Sequence, residues 1–160
     1  MPPKPKQNYS AENMPRKDLF QTPDYALDPL LPYLNPDWRI WESASGEGLL
    51  VKALQERGFK GVISGDISTG DNYFDYDPYS KYGWEYNCQI TNPPFSLKYR
   101  WIKRCYDLKT PWALLVPADT LFAAGANRLF QVHGMEMIII NPRIDFKTPD
   151  LGWAGTGAQM

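Results

Sequence analysis

Apolar and polar positions along this chain predict short buried strands that are separated by amphipathic helices. Five stretches have the apolar character of buried strands: 38–44, 61–66, 87–91, 113–116 and 135–140. Helices are predicted between them over 48–57, 97–108 and 121–131, where apolar residues recur on one helical face. Strands that alternate with helices favour an α/β fold with a mostly parallel, doubly wound sheet.

The two ends of the chain do not follow this pattern. Residues 1–17 are rich in proline and lysine and poor in apolar residues, which predicts a flexible tail ahead of a domain over 18–160. Thr22-Pro23 and Asp28-Pro29 each match a helix-start signal, so two short helical turns are predicted over 23–27 and 29–34. Residues 147–160 contain no strand-like run.

Composition narrows the classes of protein. The chain has 160 residues, of which 43% are hydrophobic and 22% charged, as in a globular domain. No apolar run reaches the roughly 18 residues of a spanning helix, and the N-terminus lacks an apolar signal core, so a cytoplasmic protein without membrane contact is expected. Cys88 and Cys105 are expected to be reduced packing residues, and a single histidine makes a metal site unexpected. A net charge of −1 argues weakly against nucleic acid, so the local distribution of charge must decide.

The first candidate for chemistry is the glycine-containing turn over 42–48, which lies between a predicted strand and a predicted helix. Such glycines allow a ligand to approach the backbone closely, although an ordinary connecting loop looks the same. Asp66 ends the next strand, where it can accept hydrogen bonds from ribose hydroxyls or simply cap a loop. There is no GxxxxGK[ST] pattern, and Glu42 and Glu47 would repel a pyrophosphate. The pair therefore favours a cationic nucleoside cofactor without phosphates, and S-adenosylmethionine fits that description.

The most specific motif is Thr91-Asn92-Pro93-Pro94-Phe95, which follows an apolar strand. Two prolines restrict the backbone and remove two N–H donors, so the loop presents carbonyl oxygens and the Asn92 amide oxygen. Phe95 adds a flat aromatic face. This combination suits a planar amine, whereas the alternative is an ordinary Asn-Pro turn at the end of a strand.

Residues 20–148 resemble the adenine-specific (N6) DNA methyltransferases, particularly small phage-type enzymes. The strand-ending NPP[FY] motif of that family is matched by residues 92–95, and its cofactor turn by residues 42–48, with Ser43 where the family has proline. Its upstream TP motif is matched by Thr22-Pro23, and its acidic-apolar pair by Asp66-Ile67. The segment Asn72-Tyr73-Phe74 resembles the one that flanks the cofactor's adenine, with Asn72 where aspartate is common.

The resemblance implies a Rossmann-like class I methyltransferase that transfers a methyl group from S-adenosylmethionine to the exocyclic amino group of adenine in DNA. The cofactor-binding residues that it implies are Thr22, Pro23, Glu42, Ala44, Gly46, Gly48, Asp66, Ile67, Asn72 and Tyr73. The catalytic residues that it implies are Asn92, Pro93, Pro94 and Phe95. Asn92 and the Pro93 carbonyl would bind the target amine, and Phe95 would stack on the flipped-out base. The family's final antiparallel strand is missing or truncated here, and a homo-oligomer or a partner chain would be one way to complete the sheet.

Basic residues are concentrated where the predicted helix follows this motif. Five of the 17 lie within 98–109, and the predicted nucleic-acid-binding residues are Lys98, Arg100, Lys103 and Arg104. A solvated helix face is the alternative. The loop over 71–86 contains seven aromatic residues, which predicts either packing around the cofactor or stacking on bases.

Three alternatives stay open on the sequence alone. The same motif also serves methyltransferases that act on amino groups of RNA bases or on protein glutamine amides. A catalytically inactive derivative that only binds the cofactor is the third.

Overall fold

The chain has an α/β fold that is built on a parallel sheet. The computed structural model describes residues 10, 12, 14–15, 18–148 and 152–153. The four strands of the sheet are β1 (Arg39–Glu42), β2 (Gly61–Ser64), β3 (Cys88–Thr91) and β4 (Trp112–Leu114). Their order is β2-β1-β3-β4 and every pairing is parallel, with Ile40 opposite both Val62 and Cys88.

The described residues form four α-helices, of which three connect successive strands of the sheet and the fourth follows β4, together with several 3-10 segments. They are α1 (Leu49–Glu56), α2 (Pro78–Tyr82), α3 (Lys98–Leu108) and α4 (Ala124–His133). Gly48 precedes α1 with φ of 80° and Gly58 follows it with φ of 95°, so glycines with positive φ flank this helix. Asp77 and Ser80 form a capping box at the start of α2, where Pro78 fits the first helical position.

Apolar side chains cover both faces of the sheet. Successive residues of a strand point to opposite faces, and Ile40 and Trp41 therefore belong to two different clusters. The first cluster packs α1 and the segment before β1 against the sheet, and it contains Leu27, Ile40, Leu50, Ala53, Leu54, Phe59, Cys88 and Ile90. The second packs α3 on the other face, and it contains Trp41, Tyr73, Trp101 and Cys105. A parallel sheet needs this cover because neither of its faces is polar.

The strand order positions the functional site. The chain runs from β1 outward to β2 and then returns past β1 to β3, so the connections diverge between β1 and β3. In open parallel sheets a crevice forms at such a point, beyond the carboxyl ends of the strands. The residues that follow β1 and β3 are Ser43 and Asn92. The glycine turn and the NPPF motif therefore meet at one edge of the sheet.

Most predicted elements are confirmed. The first four predicted strands and all three predicted helices are present, with bounds shifted by at most three residues. The two turns predicted over 23–27 and 29–34 form one 3-10 segment, Asp24–Tyr33, which contains Pro29 and Pro32. The prediction of two separate turns is wrong because i to i+3 bonding accommodates these prolines without a break. The predicted tail lies almost wholly outside the described residues.

The predicted strand at 135–140 is wrong. These residues form no strand, and Met135, Met137, Ile138 and Ile139 have 41–78% of their surface exposed. A high β-propensity produces a strand only where another strand supplies hydrogen bonds, and β4 pairs with no strand but β3 in the described part of the chain. A homo-oligomer or a completing partner chain stays a prediction.

The C-terminal region differs from the prediction in another way. Residues 147–160 were expected to lack strands, but Lys147–Thr148 (β5) and Gly152–Trp153 (β6) form a short antiparallel pair, separate from the main sheet. Lys147 also forms an isolated antiparallel bridge with Gln21. Backbone pairing of Lys147 with Gln21, and of β5 with β6, produces this arrangement. The propensities of single residues do not register such pairing.

Across the described residues, no helix combines the length and apolar character needed to span a membrane.

Candidate functional site

A cavity of about 380 Å³ lies beyond the carboxyl ends of β1 and β3. Its size is typical of small-molecule sites. Ten of the fourteen residues predicted for cofactor binding and catalysis line it: Thr22, Glu42, Ala44, Gly46, Asp66, Ile67, Asn72, Tyr73, Asn92 and Pro94. The other four, Pro23, Gly48, Pro93 and Phe95, lie next to lining residues in sequence without lining the cavity themselves. The tertiary structure thus gathers residues from five separate segments around one space.

The glycine turn and Asp66 are joined by hydrogen bonds. Gly46 has φ of 51°, and its N–H donates to Asp66 Oδ2 at 2.9 Å. Asp66 Oδ1 accepts from the backbone N–H and the hydroxyl of Ser68, at 2.9 and 2.6 Å. Asp66 is therefore a capping residue for both loops. A carboxylate has about four lone-pair directions, so it can also accept bonds from a ligand in the cavity.

The segment around Gln21 covers the glycine turn. Gln21 Oε1 accepts from the Glu47 N–H at 2.9 Å, and a Cβ on Gly46 would lie 2.7 Å from the Gln21 amide atoms. Three residues before Gln21, at the other end of this segment, Asp18 accepts from the N–H and the hydroxyl of Ser96. This segment therefore links the two loops that bound the cavity.

Glu42 is a buried acid in the cavity wall. It ends β1, and only 1% of its surface is exposed. Its Oε1 accepts from the Ala44 N–H at 2.9 Å and from the Thr91 hydroxyl. Burial raises the pKa of Glu42 to about 7, and the charge of Asp66 adds to this effect while both hydrogen bonds oppose it. At neutral pH this carboxyl group is therefore divided between its acidic and ionised forms.

Asn92 carries an unsatisfied buried acceptor. Its Oδ1 is shielded from solvent and has no hydrogen-bond partner within the described part of the chain. Pro93, the next residue, is fully buried, so the backbone that carries the amide is held by the core. Because buried acceptors are rarely left unpaired, this oxygen marks a position where a donor from a ligand would be stabilised.

Phe95 lies beside the cavity in an aromatic group. Its ring meets the edge of Phe146 at 6.1 Å between centroids, and Phe146 stacks with Phe20 at 6.4 Å. Phe20 lines the cavity. Three segments far apart in sequence therefore supply flat apolar surfaces next to Asn92.

A second aromatic group forms the opposite part of the wall. Tyr73 and Trp101 stack at 4.0 Å with an angle of 5° between their planes, and Phe74 meets both edge-on. The Tyr73 hydroxyl donates to Gln89 at 3.1 Å, and Gln89 Nε2 donates to Ser43 at 2.7 Å. This buried network fixes the position of the aromatic wall relative to the glycine turn.

The four basic residues predicted to bind nucleic acid divide into two pairs. Lys98 is 8% exposed and binds Asp119 at 2.8 Å, and Arg104 donates to the backbone oxygen of Tyr76 at 2.9 Å. Both side chains are thus engaged within the protein. Arg100 and Lys103 reach the surface.

Several residues at the site were not identified from the sequence as site residues. Gln21, Phe20 and Trp101 line the cavity, and Gln89 accepts a hydrogen bond from the Tyr73 hydroxyl. Trp101 lies within the predicted helix over 97–108, whose apolar residues the sequence indicates only as a packing face. Gln89 in an otherwise apolar strand was the one available signal, since a buried amide requires partners.

Neither cysteine lines the cavity. Both cysteines are free and buried, and burial raises the pKa of each thiol to about 12. In the described residues, no three His, Cys, Asp or Glu side chains lie close enough together to hold a metal ion.

Comparison with known proteins adds no relative. No protein-family model, no curated protein and no solved structure matches this chain. The functional assignment therefore depends on the residues and geometry of the cavity.

Proposed function

We propose that this chain is a Rossmann-like methyltransferase that uses S-adenosylmethionine to methylate the exocyclic amino group of adenine in DNA. The observation that carries the proposal is the buried, unpartnered Asn92 oxygen at the wall of the cavity. An amino group brought into the cavity would satisfy this acceptor. The loop that holds it contains two prolines, so it offers acceptors in preference to N–H donors.

The other side of the cavity fits the cofactor by its charge and donors. Asp66 accepts three hydrogen bonds from Gly46 and Ser68, so about one of its lone-pair directions, on Oδ2, is left for a ribose hydroxyl. Glu42 places a second carboxyl group in the wall, which suits a cation and disfavours phosphates. Tyr73 and Phe74 present aromatic surface next to these groups. When bound, S-adenosylmethionine supplies an electrophilic methyl group.

The residues of the chain would then act by positioning. Asn92 Oδ1 accepts a hydrogen bond from one N–H of the target amine, which leaves the nitrogen lone pair available and directed. Phe20 lines the cavity and offers a flat surface to the base, while Phe146 packs on Phe20 and Phe95 packs on Phe146. Burial of Asn92 and Glu42 excludes water and strengthens these interactions. The base would reach the cavity only after leaving the helical stack.

The test is transfer of a tritiated methyl group to DNA, RNA and protein pools, in single-turnover reactions. We expect labelling of adenine in DNA. Asn92→Ala is expected to slow transfer about a hundredfold or more, because an aimed polar group is lost, while cofactor affinity stays within twofold of wild type.

Asn35→Ala is the matched control, because this exposed asparagine lies in the turn before β1 and does not line the cavity. It should transfer methyl groups at the wild-type rate. Methyl transfer to RNA or protein alone would show that the substrate is that molecule and not DNA. Cofactor binding without methyl transfer to any pool would indicate an inactive derivative. Near-normal transfer by Asn92→Ala would contradict the role given to the NPPF loop.

A further inference from the structure

A second cavity, of about 440 Å³, lies between α3 and α4. Tyr99, Arg100 and Lys103 line it from α3, and Gly125, Arg128 and Leu129 line it from α4. We call this the α3–α4 groove. Gly125 has open space where a side chain would project, so the groove remains accessible along the backbone of α4.

The residues around the α3–α4 groove carry charge of one sign, while the surface that lines the groove itself is almost wholly apolar. Three of its lining residues are cationic, none is acidic, and the whole chain carries a net charge of −1. Arg128 is exposed and forms no ion pair with any described residue. Lys103 binds Asp107 at 2.6 Å, but both side chains are about 60% exposed, and ion pairs as exposed as this are weak. The Lys103 ammonium group can therefore exchange its ion pair with Asp107 for one with a phosphate group.

The groove adjoins the candidate active site. The Arg100 guanidinium lies over the Phe74 ring at 4.2 Å, and Phe74 lines the first cavity. A lining residue of the groove and a lining residue of the first cavity are thus in contact. Helix α3 also follows the NPPF loop after a single 3-10 turn, so its first exposed turn lies close to Asn92.

We propose that the α3–α4 groove binds the backbone of the DNA strand next to the base that enters the first cavity. Arg100, Lys103 and Arg128 contact its phosphates, and Tyr99, which is 40% exposed, contacts a neighbouring base or sugar. The inference rests on the proposed function for the identity of the strand. It adds Arg128 to the predicted set and removes Lys98 and Arg104, whose side chains are held by Asp119 and Tyr76.

The experiment compares Lys103→Gln/Arg128→Gln with wild type in DNA binding, measured by fluorescence anisotropy across a salt series. Each lost phosphate contact should reduce the slope of log affinity against log salt by about 0.9 for duplex and about 0.7 for single-stranded DNA. At 0.1 M salt the double variant should bind roughly 60-fold more weakly if the two proteins bind equally at 1 M salt, because a slope of 0.9 corresponds to about eightfold per contact for a tenfold change in salt and two contacts are lost. Its cofactor affinity should equal that of wild type, since neither residue lines the first cavity.

Lys52→Gln/Lys60→Gln is the matched control. It removes the same charge from exposed positions on α1 and just before β2, and neither residue lines the groove. It should retain the wild-type slope. The position of the groove relative to the target base is tested with an oligonucleotide that contains one adenine and a single neutral methylphosphonate beside it. This substitution should lower the DNA affinity of the double variant less than it lowers that of wild type.

The outcomes separate the groove from the methyltransferase activity. Equal slopes and affinities in wild type and the groove variant would overturn the groove while leaving methyl transfer intact. A flattened slope without methyl transfer to any pool would support the groove and overturn the proposed function. Tighter binding and methylation of an RNA strand, or no binding of DNA by wild type, would overturn the assignment of the groove to DNA.

Discussion

Glu42 offers the sharpest test of the electrostatics of the cavity. The change is Glu42→Gln, which keeps an oxygen to accept from the Ala44 N–H and the Thr91 hydroxyl but removes the ionisation. Burial raises the pKa of Glu42 from 4.5 to about 7. At about 1.4 kcal/mol for each tenfold change in proton affinity, this shift corresponds to about 3 kcal/mol of folding free energy.

The sign follows from the direction of the shift. A folded-state pKa above the unfolded value means that the folded protein holds its proton more tightly, so the contribution is complete below pH 4.5. It is lost as the pH rises through about 7. The free energy of unfolding of wild type should therefore fall by about 3 kcal/mol relative to Glu42→Gln between pH 4 and pH 8, and the difference should level off above about pH 7.

The assay is urea denaturation of both proteins at half-unit pH intervals. Glu56→Gln serves as the control, because Glu56 is an exposed acid in α1 whose ion pair with Lys52 spans 3.7 Å. Such a pair contributes about 0.3–0.5 kcal/mol, so this variant should follow wild type at every pH. If the difference between wild type and Glu42→Gln is the same at pH 4 and pH 8, the carboxyl group is not held in the apolar environment described above.

Two further changes probe the cofactor loop. Asp66→Ala should weaken S-adenosylmethionine binding by about 1–3 kcal/mol in calorimetry, because ribose hydroxyls and the Gly46 N–H lose their acceptor; unchanged affinity would remove Asp66 from the site. Gly46→Ala should lower the free energy of unfolding by about 1–2 kcal/mol, because a residue with left-handed backbone gains a Cβ and the Gln21 amide must move. Gly125→Ala is the control, because nothing lies within 4 Å of the Cβ that it adds. Equal denaturation midpoints for the two variants would contradict the strain proposed at Gly46.

Local patterns were sufficient for the elements that build the sheet. The apolar runs at 61–66 and 87–91 became β2 and β3, and the spacing of Trp101 and Cys105 placed one face of α3 against the sheet. Because both faces of a parallel sheet are buried, its strands must be apolar and its helices must have an apolar face. Both patterns can therefore be recognised in the sequence. The glycine turn and the NPPF loop were located in the same way, since each follows an apolar strand.

Relations between distant segments required the tertiary structure. Sequence could not show that Gln21 covers Gly46, that Asp66 caps the glycine turn, or that Arg128 joins Arg100 across two helices. It also predicted a strand at 135–140 that lacks a partner, and it treated Lys98 and Arg104 as equivalent to Arg100 and Lys103. Strand formation, burial of charge and the pKa of Glu42 all depend on which neighbours the fold supplies. Local propensity and composition determine only which residues are available, because such contacts join positions from about 20 to more than 100 residues apart.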